Sequence, residues 1–335
     1  MKAAASFTRR KERRRANRAM PTGELVQSIL NPAGAQALAI HHLWSLMLWI
    51  SIAVFAIVLA FVAAAVVRGT RHGSAPTAEP TLSRAVAAGV AITVVVLFGL
   101  LTASVWTGRS VASLRAWSAV TIAVTGHQWW WEIEYEDGVP SRRVRTANEI
   151  HLPVGQPVVF TVTSRDVIHS FWIPNLHGKR DLIPGYTTAI WLQADRAGVF
   201  RGQCAEFCGL QHAHMALDVV AEPAADFERW LDAMRQAAPD PQNAAEVRGR
   251  DVFMSTRCAG CHTIAGTEAH GQTAPDLTHV ASRRSVGAGT LPNTREHLAD
   301  WVRDPQRSKP GNQMPPNPLP STDIDALLAY LETLR

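Results

Sequence analysis

Cysteine is scarce in this chain. The four residues are confined to two short motifs, CAEFCGLQHAHM (204–215) and CAGCH (258–262). None is left over for a disulfide framework, so the sulfur belongs to cofactor sites. Charge is sparse as well, 18% of residues against 47% hydrophobic, which is low for a wholly soluble chain and points to membrane segments. The basic excess behind the net charge of +5 forms no patch on a domain. It sits in residues 1–20, where Lys2, Arg9, Arg10, Lys11, Arg13, Arg14, Arg15 and Arg18 face the single acid Glu12. A short tail of this kind gives no support to nucleic-acid binding by the chain as a whole. The tail also lacks the apolar stretch of a secretory signal, so simple cleavage does not account for it.

Two runs lack charge altogether. Residues 43–67 and 85–106 contain no Asp, Glu, Lys or Arg. Each exceeds the about 20 residues that a helix needs to cross a bilayer core. The polar linker 68–84 is short, so the two helices are expected as an antiparallel hairpin with both chain ends on one side of the membrane. Arg68, Arg71 and Arg84 lie in the linker, and more basic residues lie in the tail. The positive-inside rule therefore places both ends in the cytoplasm. The cofactor chemistry below demands the opposite, and we give it more weight because the topology rule is statistical. A start at Met20 would remove the basic run and with it the conflict.

The rest of the chain divides by pattern. Segments within WSAVTIAVTGHQWWWEIEY (117–135), VVFTVTS (158–164) and TTAIWLQ (187–193) are β-branched and aromatic, separated by Gly and Pro as in LPVGQP (152–157). They predict an all-β sandwich or barrel over 111–221. Residues 222–243 read as a linker that opens with a helix, ADFERWLDAM. From 244 to 335 the pattern is helical, through AEVRGRDVFMS, the amphipathic REHLADWVRD and a last helix from Ser321. Ser321 or Thr322 is expected to cap that helix. The predicted organisation is thus multidomain: a tail and pre-membrane segment (1–42), a transmembrane helical hairpin (43–110), a β domain (111–221), the linker (222–243) and an all-α domain (244–335).

Cys258-Ala-Gly-Cys261-His262 is the c-type haem attachment pattern. Two thiols one helical turn apart bond the porphyrin vinyl groups, and the adjacent imidazole is held under the iron. A Met thioether is the usual sixth ligand of an electron-transfer cytochrome. Met314, in the loop GNQMPP, is the candidate; Met254 lies too close to the attachment helix. A zinc half-site or redox pair would also use CxxC. The following Pro275-Asp276-Leu277 and the Met-Pro loop favour haem. Residues 244–335 resemble class I cytochrome c domains along their length.

The other motif places Cys204, Cys208, His212 and Met215 in one tight loop. Thiolate, thioether and imidazole ligands favour copper, and Met is a poor ligand for zinc. A single blue-type copper needs one cysteine, so two thiolates suggest a pair of metals bridged by both sulfurs. His169, in DVIHSFWIPN, is the natural second imidazole.

GHQWWWEIEY (126–135), DVIHSFWIP (166–174), GKRDLIPG (178–185) and CAEFCGLQHAHM (204–215) resemble subunit II of the haem–copper cytochrome c oxidases. The appended haem domain makes the chain similar to the caa3-type members. The resemblance implies a cupredoxin-like fold for the β domain and a binuclear CuA centre. It implies copper ligation by the side chains of His169, Cys204, Cys208, His212 and Met215 and by the backbone carbonyl of Glu206. The Glu206 carboxylate would reach a magnesium ion shared with subunit I. Trp129 matches the family's electron-entry tryptophan. The implied partners are the haem a/CuB subunit I, subunit III, and cytochrome c or a cytochrome c reductase as donor. The implied location is a bacterial cell membrane with the copper and haem domains on the periplasmic or extracellular side, and the activity is oxygen reduction coupled to proton translocation. The electron-entry subunit of a CuA-type nitric oxide reductase is the alternative, and a stand-alone membrane-anchored electron carrier is a third reading. The hairpin and fused haem argue against a soluble nitrous oxide reductase, and the two cysteines against a quinol oxidase subunit.

Other residues receive plainer readings. His214 is expected to point away from the copper and His127 to make a structural hydrogen bond. Glu132, Glu134, Glu136 and Asp137 are expected as a solvated face, with a docking patch for a basic cytochrome as the alternative. Trp130 stands where the family usually has Tyr, and Tyr186 where an Arg is common. The second apolar helix lacks the familiar Glu-x-x-Trp-Thr start, with Glu79 displaced from it, which leaves proton entry unassigned.

Overall fold

The computed structural model describes residues 24–71, 79–113 and 120–335. The basic tail and the start of the segment expected from Trp117 lie outside them. Two units are compact on their own, one holding residues 36–115 and one holding the rest.

The first unit is two long helices, α1 (Ala35–Arg71) and α2 (Glu79–Ser113). Helix α1 starts well before Leu43, because Ala35–His42 contains good helix formers and no Gly or Pro. Pro80 suits the first turn of α2. Both helices are long and apolar enough to cross a membrane, and their apolar stretches are not covered by protein. Phe55, Phe61, Phe98 and Trp106 all stand exposed. The hydroxyls of Ser51, Thr93 and Thr102 donate to the carbonyls of Met47, Gly89 and Phe98, one turn back. These three hydroxyls are satisfied within their own helices, as a lipid environment requires.

The second unit begins with a short strand, β1 (Leu25–Val26). It continues with a sandwich of β2 (Thr121–His127), β3 (Trp130–Tyr135), β4 (Val144–Ala147), β5 (Glu149–Pro153), β6 (Pro157–Ser164), β7 (His169–Trp172), β8 (Arg180–Leu182), β9 (Thr188–Gln193), β10 (Gly198–Cys204) and β11 (Ala216–Glu222). One sheet runs β4-β3-β2-β6-β9 and the other β5-β11-β10-β7-β8. Alternation along β2, β3 and β6 turns Ile122, Val124, Trp131, Ile133, Phe160 and Val162 inward. They meet Phe171, Phe200, Leu217 and Val219 of the other sheet. Each such side chain contributes roughly 1.5–3 kcal/mol when fully buried.

Strand β1 pairs in parallel with β10, and the residues after it are strapped to the sandwich. Asn175 donates to the carbonyl of Asn31 at 2.7 Å and accepts from the amide of Ser28 at 3.1 Å. Within the stretch read as a linker, helix α3 (Ala224–Met234) buries Phe227 and Leu231 in the sandwich core. Trp230 stacks on His151, with centroids 4.0 Å apart.

The C-terminal part holds α4 (Ala244–Ser255), α5 (Cys258–Cys261), α6 (Arg295–Arg303), α7 (Pro305–Ser308) and α8 (Ser321–Leu331), with a two-residue strand pair β12 (Ser285–Val286) and β13 (Leu291–Pro292). Helices α4 and α8 cross closely. A Cβ on Gly249 would lie 2.0 Å from the Ala326 carbonyl oxygen, so the crossing admits only glycine there. Asn243 caps α4 by accepting from the Glu246 amide, and Glu246 accepts back from the Asn243 side chain. The cap expected for the last helix does not form. Pro320 occupies the N-cap position without a side-chain bond, and Ser321 and Thr322 lie inside the first turn.

Candidate metal centre and haem cleft

Strand β10 ends at Cys204, and β11 begins just after Met215. The loop between them closes one end of the sandwich beside the start of β7, where His169 stands. Three ligand atoms, from His169, Cys204 and Cys208, lie within 4.8 Å of one another. His169 Nδ1 is 3.8 Å from Cys204 Sγ, and His212 Nδ1 is 3.5 Å from Cys208 Sγ. Met215 Sδ is 3.9 Å from Cys208 Sγ, and the Glu206 carbonyl oxygen is 3.1 Å from Cys204 Sγ. All six candidate copper ligands therefore converge. Two sulfurs, two imidazole nitrogens, a thioether and a carbonyl fit soft, nitrogen-tolerant copper better than a hard cation.

The surroundings aim these donors. Asp166 Oδ1 is 2.8 Å from His169 Nε2, while Oδ2 accepts from the Gln128 amide at 2.7 Å. This carboxylate fixes the ring so that Nδ1 faces the sulfurs. Burial would raise the Asp166 pKa, but the bonds from His169, Gln128 and Val167 outweigh it and hold the group low. The backbone of β2 leaves room for the ring: a Cβ on Gly126 would lie 2.7 Å from His169 Cδ2. The hydrogen bond from Cys208 is the largest influence on Cys204, lowering it to about 3 against the cost of burial, with His169 adding to the effect. Cys208 is pushed up by the same neighbour and by burial. Two sulfurs this close favour one thiolate and disfavour a second, as like charges do.

The second site is a cleft walled by both domains. Cys258, Cys261, His262 and Met314 all line it, and so do Gln128, Trp129, Trp130 and Asn148 of the β domain. His262 Nδ1 lies 2.7 Å from the Pro275 carbonyl, a bond that leaves Nε2 free to act as ligand. Burial lowers the His262 pKa, keeping the imidazole neutral as ligation requires. Arg283, also in the wall, is buried, and its Nε has no partner among the described residues. A buried guanidinium with an orphan N–H calls for an anion, and a haem propionate supplies one. The cleft thus fits a haem attached at Cys258 and Cys261.

Trp129 joins the two sites. It is 9% exposed, it lines the cleft, and its indole Nε1 donates to the Cys208 carbonyl at 2.9 Å. Gln128 Nε2 donates to the same carbonyl at 2.8 Å. Sequence reasoning missed the residues that hold this junction. Lys309 is 2% exposed and donates from Nζ to the carbonyls of Trp129, His214 and Gly287 at 2.7, 2.7 and 2.8 Å. Burial pushes its amine down to about 7. The three carbonyls oppose that, since only the ammonium has three N–H donors. Glu149 accepts from the Arg284 amide at 2.7 Å, and Asp218 from the Ser285 hydroxyl at 2.8 Å.

The remaining candidates fall as follows. His214 bonds to Gln211 Oε1 at 2.7 Å, away from the sulfur cluster. His127 pairs with Glu132 at 3.1 Å and stacks on Trp130. The acidic cluster is interleaved with cations: Glu132 with Arg145, Glu134 with Arg143 and Arg145, Asp137 with Arg142 and Arg235. A charge lattice of that kind leaves little net field to steer a basic partner. The Glu206 carboxylate is half-exposed and lies 3.7 Å from Lys179.

A soft-donor loop on a β-sandwich and a CxxCH cleft against it, in a chain with two bilayer-length helices, form the layout of a membrane electron-transfer protein. The family described as "Cytochrome C oxidase subunit II, periplasmic domain" matches residues 139–222, and "Cytochrome c" matches residues 246–335. "Cytochrome c oxidase subunit 2" of Alkalihalophilus pseudofirmus is 40% identical over 219 residues, covering 65% of this chain and 62% of that protein. The protein of the same name from Bacillus sp. (strain PS3) is 32% identical over 262 residues, covering 73% of this chain and 72% of that one. The periplasmic domain of subunit II of cytochrome oxidase of Bradyrhizobium japonicum is 31% identical, with a TM-score of 0.33, covering 35% of this chain and 94% of that one. The chain belongs to the cytochrome c oxidase subunit II family, with a cupredoxin-like domain and a fused cytochrome c domain.

Proposed function

We propose that this chain is the electron-entry subunit of a haem–copper oxidase, receiving electrons from an external cytochrome c or cytochrome c reductase and delivering them to the haem a/CuB subunit I. When bound, a covalent haem c and a binuclear copper centre supply one-electron redox chemistry. Cys258 and Cys261 would tether the haem, and His262 and Met314 would hold its iron. His169, Cys204, Cys208, His212, Met215 and the Glu206 carbonyl would hold the copper. The β scaffold fixes these donors, an arrangement that would suit one-electron transfer at the bound copper. Trp129 supports a route between the two sites, since one indole both walls the haem cleft and bonds the carbonyl of a candidate copper-ligand cysteine. That single observation carries the reading.

The half-exposed Glu206 carboxylate is the candidate magnesium ligand toward subunit I. Subunit III and coupling to proton translocation come with the family reading, as does a periplasmic or extracellular position for both domains. The test is gas consumption by the complex purified from detergent-solubilised membranes, given a chemical reductant and a cytochrome mediator. Rapid cyanide-sensitive oxygen uptake is expected. Turnover of nitric oxide with negligible oxygen uptake would move the same residues into a nitric oxide reductase and refute the oxidase reading.

A further inference from the structure

Residues 309–311 of the cytochrome domain lie against the copper loop. Lys309 Nζ reaches the carbonyls of Trp129 and His214, while the next residue's carbonyl, Pro310 O, accepts from Gln211 Nε2 at 2.7 Å. Gly311 follows with a φ of +81°, and a Cβ there would lie 2.8 Å from Leu210 Cδ2. Residues 309–311 therefore lie directly on residues 210–214. Met314 is on the same loop, and His212 is on the opposing one. The amine also ties its own domain in, through Gly287 O at 2.8 Å. Beside it, the Ala216 amide donates to Ala288 O at 3.0 Å.

We propose that Lys309 is a positioning residue that pins the cytochrome domain onto the copper-ligand loop, holding the haem cleft against Trp129 for internal electron transfer. The inference rests on the relay reading above for its electron-transfer consequence, though not for the pin itself. A lysine is a costly group to bury. Here all three N–H donors are matched by carbonyls drawn from two domains, so the cost is offset only while the domains stay docked. A side chain that merely filled space would need no such donors. The stretch carries no copper or haem ligand before Met314, so it can be altered without removing one.

Two measurements on the intact, detergent-solubilised complex test the proposal. The first is amine labelling of the unaltered protein by a water-soluble acylating reagent, read by peptide mass spectrometry. Lys309 in the denatured protein is the reference. The same lysine should label at least roughly a hundredfold more slowly in the native complex, because acylation requires the docked contact to open. Equal labelling in the two states would overturn the pin, whatever the electron path. The second is Lys309→Met, which keeps most of the stem and removes the donors. The haem and copper absorption bands and both reduction potentials should stay unchanged. Hydrogen exchange in residues 209–217 and 284–290 should rise by roughly tenfold or more, as expected when a docking contact loses buried hydrogen bonds. Electron transfer from photoreduced haem to copper should slow by a similar factor. Unchanged exchange and transfer would refute the proposal. Faster exchange in a protein that never shows haem-to-copper transfer would keep the pin and refute the relay instead.

Discussion

Gly126→Ala tests the copper site from a residue that ligates nothing. The added Cβ would lie 2.7 Å from His169 Cδ2 and 3.0 Å from Cγ. Carbon atoms pack comfortably at about 3.5–4.0 Å, so the ring has to retreat by close to 1 Å. It cannot do so freely. His169 is fully buried, Asp166 holds its Nε2, and Trp131 packs beside it with ring centroids 6.2 Å apart. Overpacking of this kind costs about 1–3 kcal/mol. Any retreat carries Nδ1 out of line with Cys204. The expected results are a Tm several degrees lower and copper affinity reduced by roughly tenfold or more, at ~1.4 kcal/mol per decade. The assay is copper content after dialysis against a graded chelator, with the mixed-valence electron paramagnetic resonance spectrum of what remains. Gly138→Ala is the control, since a Cβ there meets nothing within 4 Å. Full copper retention with an unaltered spectrum in Gly126→Ala would refute the placement of His169 as a ligand.

Met314→Ala should leave the haem attached through Cys258 and Cys261, lower its reduction potential and change its spin state, because thioether ligation raises the potential. An unaltered visible spectrum would remove Met314 from the axial position. His151 predicts a pH dependence. Burial, the largest single influence, lowers its pKa, but hydrogen bonds and charges from Glu149 and Glu222 together outweigh this and raise it. A raised histidine stabilises fully below its unfolded pKa of about 6.5 and loses that contribution as pH rises through the folded value. Tm measured by calorimetry should therefore fall on going upward from pH 6.5 in the unaltered protein and fall less in His151→Gln. Parallel curves would contradict the assignment.

The parts that were legible in the sequence are those written in local chemistry. Cys204, Cys208, His212 and Met215 lie on one loop, so spacing alone announced a metal site. Charge-free runs announced α1 and α2, and β-branched, aromatic stretches punctuated by Gly and Pro announced β2, β3 and β6. Long-range packing supplied the rest. Strand β1 is too short to carry a periodicity, yet it pairs with β10 far along the chain. Helix α3 has an amphipathic pattern that says it packs, but not that Phe227 enters the sandwich core. Lys309 sits in a Pro-rich loop where a lysine is ordinarily solvated. Its three acceptors come from residues 129, 214 and 287, which no local pattern connects. Arg283 is silent for the same reason. The acidic residues at 132–137 read as a solvated face, with a docking patch as the alternative, and the arginines that pair with them come from other segments, Arg142, Arg143, Arg145 and Arg235 among them.

Trp129→Phe is the measurement that bears most directly on the relay. The substitution keeps an aromatic ring in the wall of the haem cleft and removes the N–H that bonds Cys208 O. Gln128 still donates to that carbonyl at 2.8 Å, so the loss in stability should be that of one ordinary hydrogen bond, about 0.5–1.5 kcal/mol, plus the packing of the lost indole ring. Haem and copper content, and both potentials, should stay as they are. Electron transfer from photoreduced haem to copper, followed by transient absorption in the intact complex, should slow by roughly tenfold or more, equivalent to ~1.4 kcal/mol of barrier. A rate equal to that of the unaltered protein, with both centres intact, would contradict the account: electrons would then reach the copper loop without the indole that joins it to the cleft.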